Sequence, residues 1–145
     1  MQLSKITTQN LNEYYARGVL QEAARCAELS DRILYGDGWA IAGCPADAQA
    51  RPMSKAQSDL FQSLEQDQKV LLEQFGALLQ QQNPDRPYAL ALEQTPEGWR
   101  RLTDVAEAFH YHKAQARNRW LAQNATTIEA PESRAADSIL SIAVA

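Results

Sequence analysis

The sequence predicts an all-α fold: a three-helix antiparallel bundle with a long irregular first loop and an extended C-terminal tail. Two observations carry that expectation. Apolar residues recur every three or four positions over residues 9–35, 54–83 and 96–124, the spacing that gathers them on one side of a helix. The stretches between and after them are rich in Gly, Pro and small polar residues, as connections and tails are. The organisation expected is a helical domain over 1–124 followed by a tail over 125–145.

In the first helix, Tyr15, Val19, Ala23, Cys26, Leu29 and Ile33 form the inward row, and Gly36 directly after Tyr35 is placed to end it. Gly18 inside the run costs on the order of 1 kcal/mol relative to Ala, which points to close contact with a neighbouring helix. Residues 36–52, GDGWAIAGCPADAQARP, make a connection longer than compact bundles use. Trp39 and Ile41 alternate with small residues there, as in a short strand or a plug folded back over the bundle; a binding loop is the other reading.

The second helix opens with Ser54 and Gln57 at capping-box spacing. Leu64, Leu71 and Leu78 repeat every seven residues with Phe61 and Phe75 beside them. Gln68 interrupts that second row, a position that can set register or oligomeric state, so homodimerisation through this helix is an expectation. Asn83-Pro84 and Arg86-Pro87 end the helix. Tyr88, Leu90 and Leu92 then alternate over a short extended segment, suited to pairing with 39–42 or to crossing the surface. Thr95-Pro96-Glu97 reads as a helix start, with an N-cap, a proline at the first helical position and an acid in the first turn; the third helix would run from there to Asn124. Pro131 bars continued helix, and residues 138–145 turn apolar, with Leu140, Ile142 and Val144 on one side if extended.

Composition narrows the function classes. A chain of 145 residues with 45% hydrophobic and 22% charged residues suits one globular domain with its own core. A net charge of −4 disfavours a protein that coats nucleic acid but leaves room for a local basic face. No run is apolar and long enough for a membrane span, and MQLSKITTQNLNEYY lacks the apolar core of a secretory signal. With Cys26 and Cys44 read as two reduced thiols, the expected location is the cytoplasm.

Catalytic and metal chemistry find little support. Neither cysteine sits in a motif, no G-x-S-x-G is present, and Gly36-Asp37-Gly38 lacks the rest of a phosphate loop. His110 and His112 point about 200° apart on a helix and cannot chelate one ion together. Glu107 and His110 have the E-x-x-H spacing of di-iron carboxylate bundles, but a full site needs a second pair, so only a symmetric dimer with Glu22, Glu65 or Glu73 would complete it. The expectation is a non-enzymatic protein with no cofactor and no metal.

Two resemblances frame the binding chemistry. Residues 105–116, VAEAFHYHKAQA, resemble a helix-turn-helix: Ala106 is small where two helices would cross, Phe109 and Tyr111 bracket a turn at His110, and Ala116 points inward on the second helix. That resemblance, spanning 102–121, implies a DNA-binding protein, possibly dimeric, with Lys113, Gln115, Arg117, Asn118 and Arg119 on phosphates and base edges. Residues 97–121 hold five Arg/Lys against three acids. Yet His110 stands where the turn usually has glycine, and nothing between Gly98 and Asn124 breaks a helix. The other resemblance rests on Lys69-x-Leu71-Leu72, Leu78-Leu79-Gln80-Gln81 and a long helix from Trp99 to Asn118-x-Trp120-Leu121. It is similar to flagellar export chaperones of the FlgN type, small acidic helical proteins that hold late hook-associated proteins for type III export. The leading expectation is therefore a protein-binding adaptor, export or assembly chaperone, or regulatory factor. Its contacts would be Tyr111 and Trp120 on the third helix with Leu140, Ile142 and Val144 of the tail, in a helix that runs unbroken through Phe109–Lys113.

Overall fold

The structure, a computed structural model, describes residues 7–42 and 48–124. It is mostly helical with one small sheet, and its elements are α1 (Thr8–Tyr35), α2 (Gly38–Ala42), α3 (Lys55–Leu79), β1 (Ala91–Thr95), β2 (Gly98–Leu102) and α4 (Val105–Asn124).

α1 begins where the Thr7 side chain accepts a hydrogen bond from the Asn10 amide, and it stops at Gly36, whose φ of 91° few other residues adopt. Its buried residues are Ala16, Leu20, Ala23, Ala24, Cys26, Ala27, Glu28 and Ser30, nearly all small. Small side chains on more than one side let two helices approach the same backbone, and α1 packs against both α3 and α4. α3 and α4 do not pack comparably on each other. α3 is antiparallel to α1: Asn12 donates to Gln81 at 2.9 Å at one end, while Cys26 lies within electrostatic range of Asp67 farther along. α4 lies across α1 from Ala108, clustered with Ala16 and Leu20, to Trp120 beneath the Arg32 guanidinium.

α3 opens with the capping box expected at Ser54 and Gln57, both of its hydrogen bonds being formed. Only Leu64 and Phe75 are buried along its 25 residues. The main core sits at the end where α1, the last turns of α3, the hairpin base and the first turns of α4 meet, built from Leu20, Phe75, Tyr88, Leu90, Ala91, Leu102 and Ala108. The Tyr88 hydroxyl lies inside it without a hydrogen-bond partner among the described residues.

The region from Thr95 to Leu102 departs from expectation. Thr95-Pro96-Glu97 does not start a helix but turns a β-hairpin, with Leu92 opposite Arg101 and Gln94 opposite Trp99. Pro96 presets the first loop residue, and Gly98, at φ 123°, supplies a backbone that a helix start does not need. α4 begins nine residues later than expected, at Val105, after Asp104, whose carboxylate accepts from the Glu107 amide at 2.8 Å. Residues 39–42 form the short α2 instead of a strand, so the 90–92 segment pairs with β2 and not with them. The plug expectation fits better: Trp39 is buried, and α2 contacts both α1 and α4.

The described residues are thus mostly helical, with α3 and α4 packed on α1, a small hairpin at one end, and one side of α1 left open among them. The tail, 125–145, lies outside the described residues. Among those described, no helix is long and apolar enough to cross a membrane.

Candidate functional site

One side of α1 is left uncovered by the other described residues. Leu11, Tyr14, Tyr15, Gly18, Gln21, Glu22 and Arg25 follow one another at helical spacing along that face. Tyr14 and Tyr15 are 65% and 52% exposed, their rings edge to face with centroids 6.2 Å apart. A side chain built on Gly18 would meet nothing within 4 Å. Among the described residues, then, no neighbouring helix fills the space at Gly18.

Two adjoining cavities line this face and share Gly18, Gln21 and Glu22. One, about 300 Å³, lies beside Tyr14, Tyr15 and Val19, with Leu71 of α3 as its wall. The other, about 390 Å³, runs from Gly18 past Arg25 and Leu29 to Arg32, and its wall is Ala116, Arg119, Trp120 and Gln123 of α4. Together they make one valley with α1 as its floor.

Charge in the valley is mostly balanced. Arg25 is bonded to Glu22, which raises its pKa further above the usual arginine value. Glu28 is 1% exposed, and the Arg32 Nε donates to both of its carboxylate oxygens, at 3.0 and 2.8 Å. The Arg32 guanidinium also stacks 4.3 Å from the Trp120 ring centre, so the buried acid, its counter-ion and the aromatic wall form one unit. Arg119 is exposed at the rim and has no ion-pair partner among the described residues.

Of the residues expected to bind a partner, the two described ones lie apart on α4. Trp120 is half-buried in the valley wall. Tyr111 is half-buried against the main core and edge-on to the His112 ring. Leu140, Ile142 and Val144 lie outside the described residues. α4 itself is unbroken through Phe109–Lys113, as expected, and His110, Gln115, Asn118 and Arg119 on its outward side are polar.

That same continuity removes the corner a helix-turn-helix needs. Lys113 forms an ion pair with Asp31, and the Arg117 guanidinium sits 5.5 Å from the Trp39 ring centre, so both are turned toward α1 and α2. Gln115, Asn118 and Arg119 stay exposed. Of the E-x-x-H pair, Glu107 is bonded to Arg100 at 2.9 Å and His110 is exposed. No group of three His, Cys, Asp or Glu among the described residues could hold a metal.

His112, by contrast, is buried, with Nε2 2.7 Å from the Leu90 carbonyl oxygen. A carbonyl only accepts, so Nε2 carries the proton and donates. Burial lowers its pKa below the usual histidine value; the Leu90 bond opposes this, and the charges of Arg17 and Arg119 add to it. The ring ties α4 to the hairpin base. Burial also raises the pKa of the Cys26 thiol, which makes it unreactive.

The sequence reading missed Leu11, Tyr14 and the valley they border. Its inward row for α1 included Tyr15 and Leu29, so the signal was present but assigned to the core. Comparison with protein-family models, with curated proteins and with solved structures finds no match to this chain.

Proposed function

We propose that this chain is a non-enzymatic protein-binding module, an adaptor, export or assembly chaperone or regulatory factor, whose docking surface is the valley on α1. The reading keeps the bundle idea in altered form: three helices with one side open, which another protein's helix completes. The observation that carries it is the uncovered face itself. Leu11, Tyr14 and Tyr15 stand exposed on one half of α1, and the other half borders a cavity walled by Trp120. Exposed aromatic residues beside a cavity are the usual anchors of protein interfaces. Interface helices fill such valleys with side chains at three- and four-residue spacing. Trp120 keeps the role expected of it, as wall and not as knob. The tail residues Leu140, Ile142 and Val144 stay in the proposal as an added contact.

The test is retention of protein by the immobilised chain. Gly18→Leu fills the valley floor, and the pair Tyr14→Ala with Tyr15→Ala removes its knobs; each is expected to release about 90% or more of what the wild type holds, while the melting temperature stays at or above the wild-type value for Gly18→Leu. A control, Gln62→Ala on the exposed side of α3, should retain it fully. Equal retention by all of them would reject the valley as the docking surface.

A further inference from the structure

We propose that the helix filling the valley is α1 of a second copy, the two running antiparallel and crossing at Gly18. This rests on the reading of the valley as a protein-docking surface and names its partner. Three independent features of the face carry it.

The first is shape. The face divides at Gly18 into a half that protrudes and a half that recedes. Leu11, Tyr14 and Tyr15 project on the N-terminal side, and the 390 Å³ cavity with Leu29 and Trp120 lies on the C-terminal side. A two-fold axis through Gly18 sets the protruding half of each copy into the receding half of the other. This is the self-complementarity an isologous dimer requires.

The second is chemistry. That axis places Leu11 opposite Arg25, Tyr14 opposite Glu22 and Tyr15 opposite Gln21, and the same pairs recur on the far side. A leucine lies along an arginine stem, a phenol can donate to a carboxylate, and a phenol meets an amide. No like charges meet at any of these positions. The exposed side of α3 offers no such match: Leu60, Val70 and Leu72 are interspersed with Glu65, Asp67, Lys69 and Glu73. Dimerisation is therefore assigned to α1 and not to the Gln68-bearing second helix expected from the heptads.

The third is Gly18 itself. A glycine in the interior of a 28-residue helix weakens it, and among the described residues no neighbour needs the space it leaves. At a crossing point of two helices the missing side chain lets the backbones approach. The seam from Leu11 to Leu29 is about 27 Å long at the helical rise, ample for a helix–helix contact.

Disulfide trapping tests the axis. In a Cys44→Ser background, Gly18→Cys puts the two introduced thiols next to each other only if residue 18 meets itself, with Cα atoms within about 7 Å. Under mild oxidation at micromolar protein this variant is expected to form a covalent dimer. Ser63→Cys, exposed on α3, is expected to link at least about tenfold more slowly. In sedimentation equilibrium the wild-type chain should be dimeric, and Gly18→Leu should raise the dissociation constant by about tenfold or more, with an unchanged or higher melting temperature when both are dilute enough to be monomeric. A monomeric wild type, no linkage through Gly18→Cys, or faster linkage through Ser63→Cys would each overturn the proposal. Retention of a different protein, lost in Gly18→Leu, would then still support the valley as a docking surface, so the two claims fail separately.

Discussion

At the scale of single residues, the buried polar groups set the most direct expectations. His112 is held neutral in the folded chain because burial disfavours its charged form. In the unfolded chain the imidazole titrates near 6.5, so below that pH the unfolded state takes up a proton that the folded state refuses. The stability it contributes is complete above about pH 6.5 and is lost as pH falls toward the lower folded pKa, with a slope of at most about 1.4 kcal/mol per pH unit. Urea unfolding between pH 7.5 and 5.0 should therefore show a steeper decline for the wild type than for His112→Gln, and the His112 ring should titrate below the usual histidine value; equal slopes would contradict this. Glu28 makes a second case. With Arg32 removed, a carboxylate 1% exposed loses the cation paired with it, and Arg32→Met should cost about 3–5 kcal/mol in urea melts. Adding Glu28→Gln should recover part of that loss, and a cost under about 1 kcal/mol for Arg32→Met would mean the pair is not buried as described.

At the scale of elements, two glycines should respond oppositely. Gly98→Ala forces a side chain onto a φ of 123° with open space around it, so its cost is backbone strain alone, about 1–2 kcal/mol. Hydrogen exchange should localise the loosening to 91–102. Gly18→Ala, in a helix interior with nothing near it, should raise the melting temperature by the equivalent of about 1 kcal/mol when the protein is dilute enough to be monomeric. These two positions also show what could be read from sequence. α1 and α3 were legible because both ends carry cap chemistry: Gly36, and the Ser54–Gln57 box. The hairpin was not, because Thr-Pro-Glu-Gly serves a helix start and a turn alike. β2 offered no alternation to correct this, since every residue from Gly98 to Arg101 is exposed. Asp104-x-x-Glu107 was the overlooked cap that marks the true start of α4.

At the scale of the whole molecule, the arrangement follows from where small residues fall on α1. Alanines at 16, 23, 24 and 27 admit two long helices close to its backbone, and the hairpin closes one end. The face through Leu11, Tyr14, Gly18 and Glu22 is left over. Sequence periodicity could not reveal it, because a helix side that binds another protein has the same spacing as one that binds its own core. Unbroken α4 was anticipated, and it carries Trp120 in the valley wall; the exposed tyrosines Tyr14 and Tyr15 lie on α1, and the exposed Trp99 on the hairpin.

Hydroxyl-radical footprinting of the chain, diluted to a monomer and then assembled with its partner copy, tests the valley most directly. Tyr14 and Tyr15 should be labelled readily in the monomer and protected on assembly, while Trp99 on the hairpin stays reactive and Trp39 stays protected in both. Unchanged labelling of Tyr14 and Tyr15 in the assembled state, or protection of Trp99 instead, would contradict the account.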